Sequence, residues 1–280
     1  MIRRTHTGQW ITVAWVIIWS LFPIYWALNT SLMTESNAHS VPAKFLPIPI
    51  DGANYAVLFS TNQNYGRAIG FSKSMLNTGI ECVFATLIIV AISIMGAYAF
   101  ARLRFRFRNL IFYATIATLS LPAYATLIPV YRIMARLGQV NTYSGLVAIY
   151  VSAFLPLALW ILYNYFNTIP KSLEEAAFVD GVSPFRAMIL IIIPLAGPGI
   201  ASAAIITFLS TWGAFLFPLV MTTDIATQPL TVFITSLQGR HTVPYTLLNA
   251  VGVLTIVVPA AIVVFLNRYI IRGILAGSAK

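Results

Sequence analysis

Six long apolar stretches, separated by short polar ones, set the rhythm of the chain: residues 11–32, 76–101, 110–130, 143–165, 195–221 and 247–266. Each has the length a helix needs to cross the hydrocarbon core of a bilayer, so the pattern predicts an all-α integral membrane protein with about six transmembrane helices. Arg3 and Arg4 followed by an apolar run would suit a secretory signal, but residues 11–32 would reach ~33 Å as a helix, which fits an uncleaved first span better. Pro23 does not exclude a membrane helix. The polar segment 33–73 holds Pro42, Pro47, Pro49 and Gly52 and reads as an external loop or small cap, not a separate domain. Residues 1–280 are therefore expected to form one membrane domain. A stretch of alternating basic and apolar residues, 131–137, reads either as a short interfacial helix or as a connecting turn.

Composition supports lipid as the main solvent. The chain is 59% hydrophobic and only 9% charged, too apolar for one soluble core with a wettable surface. Its +10 charge would suit nucleic acid, but the arginines sit between apolar runs and form no continuous basic face, so no nucleic-acid partner is expected. Cys82 is the only cysteine, which excludes an intramolecular disulfide and a thiolate metal cluster. With a cytoplasmic N-terminus the inside set is Arg3, Arg4, Arg102, Arg104, Arg106, Arg108, Lys171, Arg186, Arg268, Arg272 and Lys280. The outside set is smaller: Lys44, Arg67, Lys73, Arg132, Arg136 and Arg240. Because basic residues of short loops stay cytoplasmic, both termini are expected inside, with the RLRFRFR run deciding the orientation.

Several chemistries are missing. No GxxxxGK[ST] run exists, so the chain is expected to bind neither ATP nor its magnesium, and energy must come from a partner or a gradient. His6, His39 and His241 are scattered, and no GxSxG or paired-carboxylate site appears, which speaks against an enzyme and against a metal site. Proton- and sodium-driven carriers place ionisable groups at membrane depth, and here such groups are nearly absent. Glu81, the nearest case, is read as a helix-end carboxylate at the interface, with a cavity-lining role as the alternative. Pro122, Pro129, Pro156, Pro198, Pro218 and Pro259 are candidate kinks. Polar residues on apolar spans, Asn77, Ser120, Thr207, Ser210, Thr211 and Asn249, are candidates for lining a pathway, although such side chains also bond their own helix backbone.

The most patterned segment is the inside loop 166–194. Pro170 breaks the preceding structure, and Ser172 with Glu175 forms an S-x-x-E capping box for a helix over 173–180. Ala176 and Ala177 flatten one patch of that helix. Gly181 is placed to stop it in a left-handed conformation. Ser183 and Pro184 then start a second helix as N-cap and first helical residue. Such an elbow suits docking of a soluble partner, while a surface helix that only closes the bundle is the plainer reading.

These residues resemble the EAA signature of membrane subunits of ATP-binding-cassette importers: E-A-A, three residues, G, nine residues, I-x-L-P. Here it runs Glu175, Ala176, Ala177, Gly181, Ile191, then Ile193 in place of leucine and Pro194. NTSLM at 29–33, AYAFARLRFRFRN at 97–109, LGQVNTYSGL at 137–146 and FLSTWGAFLFPL at 208–219 are similar to the carbohydrate branch, the maltose-transporter type of inner-membrane permease. Trp212 is followed by Gly213 and Ala214, where that branch usually has asparagine and an acidic residue. The resemblance implies a bacterial inner-membrane permease working with a second permease subunit, two copies of a cytoplasmic ATPase that bind ATP and magnesium, and an external solute-binding protein. It also implies that Glu175 faces basic groups of the ATPase, with Ala176, Ala177 and Gly181 shaping the fit. Phe185 and Arg186 on the second helix extend that candidate surface. The competing readings are a permease of another importer branch, for amino acids, phosphate or sulfate, and a secondary carrier without an ATPase. A membrane-bound enzyme is more distant.

Overall fold

A computed structural model describes residues 6–60, 70–237 and 244–278, with side-chain surroundings over 8–60, 70–237 and 244–266. Arg3, Arg4, Arg67, Arg240, His241 and Lys280 lie outside the described residues, and His6, Arg268 and Arg272 fall where only backbone is described. Every regular element among the described residues is helical: α1 His6–Ser31, α2 Glu35–Ala38, α3 Ala53–Phe59, α4 Phe71–Arg102, α5 Arg108–Ala117, α6 Ala123–Arg136, α7 Tyr143–Thr168, α8 Ser172–Val179, α9 Pro184–Ala187, α10 Ile193–Leu195, α11 Gly197–Trp212, α12 Leu216–Met221, α13 Leu230–Ser236 and α14 Tyr245–Ser278. Four helices are long and apolar enough to span a membrane unbroken: Gly8–Ser31, Phe71–Arg102, Tyr143–Thr168 and Tyr245–Leu266. Trp10, Ile18, Trp19, Leu87 and Phe265 stand exposed on them, surface that only lipid or another apolar partner covers well.

The other two expected spans are bent. Residues 110–130 are not one helix: Arg108–Ser120 and Ala123–Arg136 meet at 103°. The residue before a proline is driven out of the helical region, and both Leu121 and Pro122 are extended, with ψ of 124° and 125°. The stretch 131–137 is accordingly the end of α6 with Leu137 as its C-cap, and not a separate interfacial helix. In the fifth, Pro184–Leu195 meets Gly197–Trp212 at 78° around Ala196. Just before that bend, Met188–Ile192 is wound as a π-helix, with the Ile193 N–H bonded to the Met188 carbonyl. The ring of Pro194 would clash with the Leu190 carbonyl in a normal α-turn, and a widened turn relieves it. After Trp212 the chain unwinds at Gly213 and restarts as α12. Pro129, Pro156 and Pro259 lie inside their helices, whereas Pro198 and Pro218 lie near the starts of α11 and α12.

The chain divides into two compact units. The first comprises the described parts of Met1–Ser72 and Phe233–Val258. In it segment 33–59 folds as a cap on the end of α1. The Asn29 amide donates to the Lys44 carbonyl, the Ser31 hydroxyl lies 2.7 Å from that of Tyr55, and Asn54 donates to the Ser31 carbonyl. Glu35 accepts from the backbone N–H of Tyr245 and Thr246 and from the Thr246 hydroxyl, fastening the cap to the first turn of α14. Burial works to raise the Glu35 carboxyl. The bonds from Thr246, from the Tyr245 and Thr246 amides and from His39 outweigh it and hold the carboxyl below the usual range.

The second unit comprises Lys73–Val232 and the described chain from Pro259. Its core beneath the loop between α7 and α11 packs Ala97, Ala101, Leu159, Leu162, Phe166 and Ile192 together. Gly199 lets α11 approach α7, since a Cβ there would sit 2.4 Å from the Tyr165 ring. Glu81 is not at a helix end. It is 1% exposed, ten residues inside α4, and its Oε2 accepts from the Tyr150 hydroxyl at 3.3 Å. α4 begins at Phe71, earlier than the apolar run does, and the extra turns sink the carboxyl against α7.

Candidate coupling site

The loop between α7 and α11 folds as the expected elbow, with one change at its start. Ser172 does not cap α8. Lys171 takes the N-cap place in a helical conformation, and no side-chain cap bond is made. The turn after Pro170 is already helical: Leu173 N–H bonds the Pro170 carbonyl, and the Glu174 and Glu175 N–H groups both bond the Lys171 carbonyl. The donors that a capping box serves are thus met by backbone.

The helix ends as its sequence dictates. Gly181 has φ +82°, its N–H bonds the Phe178 carbonyl, and the Val182 N–H reaches back to the Ala177 carbonyl, the two bonds of a Schellman stop. Ser183 is extended at φ −71°, ψ 155°, and Pro184 opens α9. Its hydroxyl makes no cap bond.

Two polar anchors hold the elbow from below. Glu174 turns inward, 3% exposed, and its carboxylate accepts from the Arg102 Nε at the end of α4. The Arg102 Nη2 also donates to the carbonyls of Phe166 at 3.0 Å and Ile169 at 2.8 Å. Those carbonyls belong to the last turn of α7, where orphan acceptors and the negative end of the helix dipole both favour a cation. One arginine therefore ties α4, α7 and α8 at a single point. The Tyr98 hydroxyl donates to the Pro184 carbonyl at 3.0 Å and holds the start of α9 to α4. Neither Arg102 nor Glu174 is among the residues that the sequence marks as site candidates. The acidic doublet offered a signal: adjacent residues on a helix point about 100° apart, so only one of Glu174 and Glu175 can face outward on a docked helix.

The outer side carries the expected residues. Glu175, Ala176, Gly181, Phe185 and Arg186 are exposed, and Ala177 is half-buried. Leu173, Phe178 and Val179 join Phe185 as uncovered apolar groups, with Val179 88% exposed. A helix with its base clamped, its middle flattened by alanines and an apolar rim around one carboxylate can receive another protein without rearranging.

Most of the polar candidates on the spans turn to backbone partners. Asn77 is fully buried; its amide donates to the Ile225 and Gln228 carbonyls, and its Oδ1 accepts from Tyr143. Ser210, Thr211 and Asn249 bond the carbonyls of Ile206, Thr207 and Tyr245 on their own helices. Thr207 is 2% exposed, and Ser120 is exposed at the bend between α5 and α6. Beside that bend lies a cavity of about 530 Å³, whose only polar side chains are Thr118, Thr126 and Ser152. The LGQVNTYSGL run forms a polar knot at the opposite end of α7 from the elbow: Thr142 caps α7 at the Gly145 N–H, and Asn141 bonds Thr223 through both its amide atoms.

Residues 88–276 match the family described as the binding-protein-dependent transport system inner membrane component. The chain is 30% identical over 272 residues to the sulfoquinovosyl glycerol transport system permease SmoH of Agrobacterium fabrum, covering 97% of this chain and 93% of that one. It is 40% identical over 223 residues to the osmoprotective compounds uptake permease GgtD of Synechocystis, covering 78% and 74%. It is also 32% identical over 266 residues to the trehalose/maltose permease MalG of Thermococcus litoralis, covering 93% and 91%. In fold it is similar to a chain of a bacterial ABC transporter for import of the acidic polysaccharide alginate, at a TM-score of 0.79 and 23% identity, covering 96% and 98%. Four apolar helices of membrane-spanning length with two bent apolar pairs, the elbow with its glycine stop and a match over two thirds of the sequence agree: this chain belongs to the family of inner membrane components of binding-protein-dependent transport systems.

Proposed function

We propose that residues 1–280 act as one permease domain of an ATP-driven importer for a carbohydrate or carbohydrate-like solute, with the elbow as the surface on which a separate ATPase docks. The observation that carries this reading is the two-sided build of α8: Glu174 locked to Arg102 beneath, and Glu175 with its apolar rim free above. A connector that merely closed the bundle would have no reason to leave Leu173, Phe178, Val179 and Phe185 uncovered together. The named relatives handle trehalose, maltose, a sulfoquinovosyl glycerol and osmoprotective compounds, which supports a polyhydroxylated solute without selecting one.

In this reading two ATPase copies bind ATP and magnesium, a second permease subunit completes the channel, and an external solute-binding protein delivers the cargo. Both termini and the RLRFRFR loop face the cytoplasm. ATP-driven closure of the ATPases moves the elbow, and Arg102 passes that motion to the ends of α4 and α7 together.

Gly181→Asp and Glu175→Ala test it, read by solute uptake, ATPase pull-down and stimulated hydrolysis at matched membrane levels. A Cβ at Gly181 meets nothing within 4 Å in this chain, so damage from aspartate reports on the partner and on the positive φ. Gly181→Asp is expected to abolish coupled uptake, and Glu175→Ala to weaken it. Normal uptake by Gly181→Asp with the ATPase fully bound and coupled would sink the docking assignment.

A further inference from the structure

The five residues between α4 and α5 carry a second exposed surface. Leu103, Phe105 and Phe107 alternate with Arg104, Arg106 and Arg108, and all three apolar side chains are exposed. Among the described residues the ion pairs are Glu35–His39 and Arg102–Glu174, so no carboxylate neutralises Arg104, Arg106 or Arg108. The Arg106 guanidinium lies 4.7 Å from the Phe107 ring centre, and Arg108 spends two of its donors on Asn109 and the Leu103 carbonyl. Around them is a hollow of about 500 Å³ lined by Arg104, Phe105, Phe107, Arg108, Asn109 and Leu110.

We propose that this loop binds anionic phospholipid head groups, the arginines taking the phosphodiester and Phe105, Phe107 and Leu110 entering the acyl boundary. Position decides the occupant. The loop joins α4, long and apolar enough to span, to α5, the first part of a bent apolar pair, so its middle can stand no more than about 11 Å from either helix end even fully extended. That is of the same order as the depth of one head-group layer, roughly 5–8 Å. Unpaired guanidinium groups held there meet phosphates first, and their forked donors match two phosphate oxygens at once. The inference holds for either orientation of the chain in the membrane.

The full chain, released from micelles carrying equal phosphatidylglycerol and phosphatidylcholine, is read by native mass spectrometry for retained lipid. Wild type is expected to keep phosphatidylglycerol preferentially. Changing Arg104, Arg106 and Arg108 together to glutamine is expected to lower that retention more than ~tenfold at low salt and to leave phosphatidylcholine unchanged. Removing two charges from the far end of α6, by Arg132→Gln with Arg136→Gln, is expected to change little. Should the triple variant not fold, the three single changes serve, each lowering retention about fivefold. Undiminished retention in the arginine variants, or equal loss in the α6 control, overturns the proposal. So does displacement of the lipid by millimolar inorganic phosphate, which marks a free-anion site. Chemical protection of the arginines by added ATPase but not by phosphatidylglycerol overturns it as well, marking a protein contact.

Discussion

Glu174 and Glu175 are neighbours in sequence, but the first is buried and the second exposed on α8, so equal substitutions should part their effects. Glu174→Ala leaves the Arg102 charge buried without its carboxylate, a change that costs about 3–5 kcal/mol when a buried pair loses one partner. The melting temperature of the purified chain in detergent should fall by several degrees. Glu175→Ala removes an exposed group and should leave melting unchanged while weakening ATPase pull-down. Replacing both Arg102 and Glu174 with methionine should recover much of the lost stability, because no buried charge is then left alone. Equal melting of Glu174→Ala and wild type would show that the pair does not hold the elbow.

Elements here are shaped by glycine and proline at a few points, and α7 against α11 is the most sensitive of them. A Cβ on Gly199 would fall 2.4–2.8 Å from three atoms of the Tyr165 ring, closer than packed atoms allow. Gly199→Ala is therefore expected to destabilise by about 1–3 kcal/mol through overpacking, and Tyr165→Leu in the same chain to return part of it. Thermal melts of the single and double variants check this, and an additive pair of losses would count against the contact. Gly145 is subject to the same logic, since a Cβ there would lie 2.1 Å from the Gln139 carbonyl in the knot that opens α7. The bend at Leu121–Pro122 and the π-turn before Pro194 follow from what proline forbids. How far each bends depends on the neighbouring helices.

At the scale of the molecule, two expectations concern orientation and acid. On a chain with Cys82→Ser, an impermeant thiol reagent outside intact cells should label Asn54→Cys and spare Arg104→Cys. The reverse pattern would overturn the orientation read from the arginines. Glu35 has a folded-state carboxyl held below its ordinary 4.5, so its contribution is present above that value and lost as pH falls through the lower folded one. Melting temperature should therefore drop on acidification below 4.5, and Glu35→Gln should melt lower at neutral pH and lose much of that acid limb. An identical acid limb in both proteins would remove Glu35 from the account.

The apolar runs determined by themselves that the chain is helical and membrane-embedded, because backbone groups in lipid have no partner except their own helix. Local residue chemistry also determined the elbow: proline cannot continue a turn, and glycine alone enters positive φ without strain, so Pro170, Gly181 and Pro184 mark its bounds without reference to anything distant. What the linear order leaves open is which long-range pairs form. Glu81, an interface carboxylate by its sequence position, lies buried against Tyr150. Asn77, a pathway candidate by its place on an apolar span, clasps the carbonyls of Ile225 and Gln228. Arg102, in sequence a topology charge within the 97–109 run, joins three helices. Each outcome depends on which helix packs beside the residue and how deep its helix begins, and burial makes a polar side chain bond whatever partner that packing provides.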